Sequence, residues 1–81
     1  MIALAVRDPS HVAEVRLEAT QIARQQGFDD SDAGRVALVA TELATNLIKH
    51  GSGGEVLAGT FSDKDGVGVE LIALDLSLIH I

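Results

Sequence analysis

Residues 36–51 read VALVATELATNLIKHG. When this run is projected as a helix at about 100° per residue, six apolar side chains fall on one broad arc. These six are Val36, Val39, Ala40, Leu43, Ala44 and Leu47. We therefore predict a helix that begins at an N-cap of Ser31 or Asp30, ends at Gly51, and lies mostly buried at the centre of the core.

A polar stripe follows one edge of the same helix. Glu42, Asn46 and Lys49 are spaced by four and three residues, so their side chains lie one above another on one face. Arg35 precedes them on this face, and His50 lies beside Lys49. Because the stripe borders the apolar arc, we expect its carboxylate and amide to be at least half-buried, where polar groups need bonding partners.

Spacing alone leaves two interpretations of this stripe open. In the first, the Glu42 carboxylate and the Asn46 amide oxygen hold a divalent cation and a water, with Lys49 one turn further on to meet a phosphate. In the second, the stripe is a solvated face with a Glu42–Asn46 hydrogen bond, and Lys49 only complements the helix dipole. Short motifs of this kind often occur by chance, so spacing by itself favours the second interpretation.

The sequence before this helix predicts one strand and one further helix. Residues 1–7 are mostly apolar, and Asp8-Pro9 follows them, which is typical of a strand stopped by a turn. Apolar residues then recur at steps of three and four, which predicts an amphipathic helix that begins at Pro9 or Ser10 and ends at Gly27.

The sequence after Gly51 predicts a β-hairpin. Glu55 to Phe61 and Val67 to Leu74 are rich in Val, Leu and Ile, and residues 62–66 carry a turn signature. The predicted order is therefore β-α-α-β-β. This order favours an α+β fold in which two helices lie on one face of a small antiparallel or mixed sheet.

Composition limits the class of protein. The chain has 81 residues, which allows one small domain, and it has no cysteine. The lack of cysteine excludes disulfides, thiolate zinc sites and cysteine nucleophiles, and suits a reducing cytoplasm. A net charge of −6 argues against nucleic acid or an anionic membrane surface as a partner. We therefore expect a cytoplasmic protein with neither nucleic-acid nor membrane partners.

The run from Thr41 to Gly51 resembles the asparagine box of the GHKL ATPases, the superfamily of gyrase, histidine kinases and mismatch-repair proteins. In its E-L-x-x-N-x-x-K-H-G form, followed by Gly53-Gly54-Glu55, it is similar to the bacterial anti-sigma factor and switch-protein serine kinases. The spacing from Ala23 to Ala40 also fits that branch, so the resemblance covers nearly all of residues 1–75. It implies a partial Bergerat-type ATP-binding fold.

The resemblance also implies roles for individual residues. Asn46 would ligate the Mg²⁺ that bridges the ATP phosphates, and Glu42 would be the catalytic residue that orients or activates the attacking group. Lys49, or His50 beside it, would approach the phosphates. Residues 69–75 resemble the strand that leads into the family's D-x-G-x-G box, so Asp75 would bind the adenine amino group.

The function implied is that of an ATP-binding anti-sigma regulatory serine/threonine protein kinase. Such a kinase transfers phosphate from Mg-ATP to a serine of an antagonist protein. Two alternatives stay open. The first is a non-catalytic ATP-binding module that binds a sigma factor or phosphatase, and that the full-length parent could carry fused to a phosphatase domain. The second is a small α+β protein without such a site. Implied partners are a sigma factor, an anti-sigma antagonist or a phosphatase, and a homodimer is also open.

The chain departs from the family pattern after Asp75, where glycines, a lid and a second glycine-rich box would follow. Residues 76–81 instead read LSLIHI, which is what a transposon-end sequencing adaptor would encode. We therefore interpret residues 1–75 as the N-terminal part of the domain and 76–81 as a non-native tail, the alternative being a genuine short strand. Because glycine-rich loops bind phosphates, we expect the parent to bind Mg-ATP, and this chain to bind it weakly or not at all and to be inactive.

Overall fold

A computed structural model describes residues 1–75 of the chain, and the interpretation of residues 76–81 lies outside the described residues. The elements in chain order are β1 (Ile2–Val6), α1 (Pro9–Gln25), α2 (Asp30–His50), β2 (Gly54–Asp63) and β3 (Gly66–Asp75). The three strands form one sheet, antiparallel throughout, with β2 in the centre. The predicted α+β class and the order β-α-α-β-β are confirmed.

The hairpin of β2 and β3 is longer than predicted. Its register runs from the pair Gly54 and Asp75 to the pair Asp63 and Gly66, so only two residues connect the strands. The Asp63 carboxylate accepts a hydrogen bond from the Asp65 N–H at 2.8 Å, which closes this tight turn. The predicted strands were too short because the turn signature covered residues 62–66. In the structure Ser62, Asp63 and Gly66 belong to the strands and continue their hydrogen-bonded pairing.

The register brings three strand ends together at one end of the sheet. Val6, the last residue of β1, pairs with Gly54, the first residue of β2. Gly54 also pairs with Asp75, the last residue of β3. Because α2 ends at His50, only residues 51–53 separate its last turn from this end of the sheet.

Helix α1 begins and ends where the sequence predicts. Asp8 is its N-cap, since the Asp8 carboxylate accepts the Ser10 N–H at 2.9 Å and also the Ser10 hydroxyl. Pro9 occupies the first helical position, where its missing N–H costs no hydrogen bond. At the other end, Gly27 takes a φ of 86°, a left-handed conformation that suits glycine.

The N-cap of helix α2 lies one residue before Asp30 and two before Ser31, the two predicted N-caps. Asp29 is the N-cap, and its carboxylate accepts a hydrogen bond from the Asp32 N–H at 2.8 Å. The prediction of Ser31 or Asp30 was wrong because the backbone of Asp29 is already extended, at φ −73° and ψ 176°, and its side chain reaches the free N–H three residues on. The predicted stop at Gly51 is correct.

The core lies between the two helices and one face of the sheet. Its buried members are Val6, Val15, Ala19, Ala40, Ala44, Leu47 and Val56. Leu4, Leu71 and Ala73, at alternate positions of β1 and β3, pack against this cluster from the same side. The buried alanines let both helices approach the sheet closely.

Helix α2 is less buried than its apolar arc predicts. Ala40, Ala44 and Leu47 are buried, whereas Val39 is 47% exposed and Leu43 is half-buried. In the described part of the chain, Val39 lines an open groove between α2 and β3, with a volume of about 320 Å³. Within residues 1–75, neither helix combines the length and apolar character needed to cross a bilayer.

The N-cap at Asp8 should make part of the chain's folding stability depend on pH in the acidic range. Hydrogen bonds from the Ser10 hydroxyl and the Ser10 N–H lower the pKa of Asp8 below its ordinary 3.8. The folded chain therefore binds this proton less readily than the unfolded chain, so the cap's stabilisation is full above that ordinary pKa and is lost as pH falls through the lower folded value.

We expect the urea midpoint of the wild type to fall further between about pH 7 and about pH 3 than that of Asp8→Asn, which keeps a capping oxygen and does not titrate. Equal falls in the two proteins would contradict this account of the cap.

Candidate functional site

The polar stripe lies on the outer face of α2. Arg35, Glu42, Asn46, Lys49 and His50 are all exposed. The expectation that the carboxylate and amide would be half-buried was wrong, because the buried alanines of α2 turn the opposite side of the helix toward the sheet.

The hydrogen bond of the solvated-face interpretation is also missing. Within residues 1–75, Glu42 and Asn46 make no hydrogen bond to each other. Both side chains present oxygen atoms to solvent, one helical turn apart.

The glycine loop, residues 51–54, joins α2 to β2 at the end of the sheet. The Gly53 N–H donates to the Leu47 carbonyl at 3.0 Å, which folds the loop back onto the last turn of α2. Gly53 has a φ of 85°, and a Cβ atom there would lie 2.5 Å from the Val6 carbonyl oxygen. A Cβ atom on Gly54 would lie 1.9 Å from the Leu74 carbonyl oxygen. The loop therefore passes between the ends of β1 and β3 with no room for a side chain at either glycine.

Asp75 lies against this loop. A Cβ atom on Gly51 would be 2.6 Å from Asp75 Oδ2 and 3.0 Å from Oδ1, so the carboxylate occupies the space that a side chain at residue 51 would fill. Asp75 is half-buried. The structure thus brings Asp75 to the C-terminal end of α2, about 8 Å along the helix axis from the level of Asn46 at 1.5 Å per residue.

Arg35 lies far from the C-terminal end of α2. It lies 14 residues before Lys49, which is about 21 Å along the axis of α2. Its side chain lines the groove between α2 and β3, together with Val36, Val39, Val69 and Leu71. The structure therefore separates Arg35 from the end of α2 at which Asn46, Lys49, His50 and Asp75 lie.

The electrostatics of this end of α2 constrain what can bind there. A helix C-terminus carries a partial negative charge, which repels an anionic ligand. Lys49 and His50 lie in the last turn and offset that charge. A phosphate group at this end would therefore need Lys49, His50 in its charged form, or a bound metal cation as its partner.

The side chains at this end of α2 fit a metal ion that is bound partly by the protein and partly by a substrate, rather than one held by protein ligands alone. Among residues 1–75, no three His, Cys, Asp or Glu side chains are close enough to hold a metal ion together. Mg²⁺ usually takes only one or two protein ligands and completes its shell with waters and substrate phosphates. The exposed oxygens of Asn46 and Glu42 suit that mode of binding.

Comparison with known proteins matches most of the chain to a protein family. The family model described as histidine kinase-like ATPase domain matches residues 5–73, which is 69 of the 81 residues. The chain belongs to the histidine kinase-like ATPase domain family. The predicted membership of the GHKL superfamily is confirmed, and membership of an ATPase domain family implies ATP as the ligand of the domain. No curated protein and no solved structure matches the chain.

The glycine loop is the part of this ATPase domain that sequence reasoning missed. Gly51 was expected to end the helix, and it does cap α2. The glycines have a second role: because they lack side chains, the ends of β1 and β3 and the Asp75 carboxylate can pack against the loop. This role follows from the sheet register. Three glycines within four residues after the asparagine box were the available signal.

Two glycine substitutions should have opposite effects on stability. Gly53→Ala puts a Cβ atom against the Val6 carbonyl at a positive φ, so we expect a loss of about 2 kcal/mol or more. Gly34, exposed within α2, has nothing within 4 Å of its Cβ position. Gly34→Ala should therefore gain about 1 kcal/mol through higher helix propensity.

Urea unfolding of both variants and the wild type measures these changes. An unchanged or raised free energy of unfolding for Gly53→Ala would contradict the close approach of the glycine loop to β1.

Proposed function

We propose that this domain is the nucleotide-binding part of an anti-sigma-type serine/threonine protein kinase, with its Mg-ATP site at the C-terminal end of α2. The supporting observation is the position of Asp75, whose carboxylate lies against Gly51 at the end of the helix that carries Asn46. The family resemblance implies a carboxylate that binds the base, here Asp75, and an amide that binds the metal ion, here Asn46 of α2. In the fold both lie toward the same end of α2.

Asp75 would recognise the adenine base. A carboxylate only accepts hydrogen bonds, so it selects the exocyclic amino group of adenine, which donates them. Its half-buried position beside Gly51 limits competition from water. The absence of a side chain at residue 51 is what lets the carboxylate lie there.

Asn46 would supply the protein ligand for Mg²⁺, and Lys49 or His50 would contact the phosphates. The Mg²⁺ would neutralise phosphate charge beside the negative end of the helix dipole. Asn46 and Lys49 are one turn apart and both exposed, so a ligand laid along this face can contact both.

Glu42 would act on the attacking serine. It lies one turn before Asn46 and is exposed to solvent, where a partner protein can approach it. The serine oxygen would bond to the γ-phosphorus while the bond to the β,γ-bridging oxygen breaks, ADP leaves, and the Glu42 carboxylate takes the hydroxyl proton. Such a transfer depends mainly on positioning and on electrostatic stabilisation.

The partner proteins belong to the proposal as well. A kinase of this type would dock an antagonist protein that presents a serine to Glu42, and a sigma factor or phosphatase would bind elsewhere on its surface. The non-catalytic alternative keeps the same nucleotide site and binds such a partner without transferring phosphate.

Asn46→Ala tests the nucleotide site. We expect Mg-ATP, titrated to millimolar concentrations, to shift the backbone amide NMR signals of residues around Asn46, Gly51 and Asp75. The variant should bind at least about tenfold more weakly, a change of about 1.4 kcal/mol. If Asn46 acts through Mg²⁺, wild type and variant should bind ATP equally when EDTA removes the metal.

Thr45→Ala is the matched control, because Thr45 is the exposed neighbour of Asn46 and lies on a different side of the helix. Its affinity for Mg-ATP should equal that of the wild type. Wild-type affinity in Asn46→Ala, or shifts confined to another surface, would contradict the proposed site.

Phosphate transfer needs its own assay. With γ-labelled ATP and an antagonist protein that binds the full-length parent, the kinase proposal predicts that the parent labels a serine of the antagonist and that Glu42→Gln loses this labelling. Binding of the antagonist without any labelling would favour the non-catalytic module.

A further inference from the structure

The connection between β1 and α1, residues Arg7 and Asp8, is held by a histidine side chain. The Arg7 N–H donates a hydrogen bond to His11 Nδ1 at 2.9 Å. The other ring nitrogen, Nε2, lies 3.8 Å from Asp8 Oδ2. The His11 N–H itself donates to the Asp8 carbonyl at 3.0 Å. One imidazole thus contacts the main chain of the connection on one side and a carboxylate on the other.

Only a neutral imidazole can make this pair of contacts. Nδ1 accepts the Arg7 N–H with its lone pair, so the ring proton must be on Nε2. An imidazolium carries a proton on both nitrogens and cannot accept. Histidine is the side chain whose charge ordinarily changes between about pH 5 and 8. The His11 side chain is 27% exposed, so protons can reach it.

We propose that His11 is a pH-sensitive latch that holds Arg7 when neutral and releases it when protonated. The released imidazolium would turn toward the Asp8 carboxylate, which already lies near Nε2. Protonation therefore exchanges a main-chain hydrogen bond for an ion pair, and frees the N–H of Arg7.

The latch lies beside the glycine loop. A Cβ atom added to Gly53 would lie 3.3 Å from the Arg7 Cα atom and 2.5 Å from the Val6 carbonyl oxygen. Gly53 is in turn bonded to the Leu47 carbonyl of α2. Release of Arg7 removes support from one side of the loop, so the protonation state of His11 should alter the mobility of residues 51–54. This holds whether or not the domain binds nucleotide.

The charged surroundings leave Asp8 as the ion-pair partner. Besides His11, α1 carries the ionisable side chains Glu14, Arg16, Glu18 and Arg24. The connection carries Arg7 and Asp8, and the end of α2 and the start of β2 carry Lys49, His50 and Glu55. Within residues 1–75, Asp8 is the one carboxylate within 4.0 Å of a His11 nitrogen. Hydrogen bonds from the Ser10 hydroxyl and the Ser10 N–H lower the pKa of Asp8, which favours its ionised form and so its role as an ion-pair partner. Residues 51–54 carry no ionisable side chain, and Glu55 alternates with the core residue Val56, on the face of the sheet away from the helices.

Amide hydrogen exchange of the 81-residue chain, followed by NMR across the titration of the His11 ring signals, tests the latch. After correction for the pH dependence of intrinsic exchange, the Arg7 amide should lose about fivefold in protection as His11 is protonated, the effect of one hydrogen bond. The Gly53 amide should lose protection with the same midpoint.

His11→Asn is the decisive variant, because its amide oxygen accepts the Arg7 N–H at every pH. Its Arg7 protection should not change over this range, and His11→Ala should lack that protection throughout. Constant protection of Arg7 in the wild type, the same loss in His11→Asn, or a loss shared by amides across the whole sheet would each overturn the proposal.

Discussion

At Gly53 and Gly54 the main chain that leaves α2 passes so close to β1 and β3 that neither residue has room for a Cβ atom. This contact joins four parts of the fold: the end of β1, the start of β2, the end of β3 and the last turn of α2. Because backbone touches backbone, no side-chain rearrangement can relieve a substitution there. The relative position of the asparagine-box helix and the sheet depends on it.

The candidate site follows from that constraint. Once Gly54 pairs with Asp75, the Asp75 carboxylate has to lie beside the loop, and the missing side chain of Gly51 provides the space. Asn46 and Lys49 then lie within two turns of the same point. The proposed base recognition by Asp75 and the proposed metal and phosphate binding by Asn46 and Lys49 would thereby take place at one corner of the ATPase domain.

Local patterns predicted much of this architecture. The periodicity of residues 36–51, the start of α1 at Pro9 and the stops at Gly27 and Gly51 identify the helices, and the order β-α-α-β-β follows from them. The exposure of Val39 was not predictable, because it depends on which elements pack beside α2 and not on its own arc. The exposure of the polar stripe and the contact between Asp75 and Gly51 are likewise set by sheet register and helix orientation. No local pattern encodes these long-range relations.

The most direct test of the central claim is an NMR measurement of proton–proton proximity in the chain. Nuclear Overhauser effects are expected between the Gly51 α-protons and the Asp75 β-protons, and between the Gly53 α-protons and the Arg7 α-proton. Their observation would place β1, β3 and the end of α2 at one corner. Well-resolved signals for these residues without such effects would contradict the account, because the carboxylate and the asparagine-box helix would then lie apart.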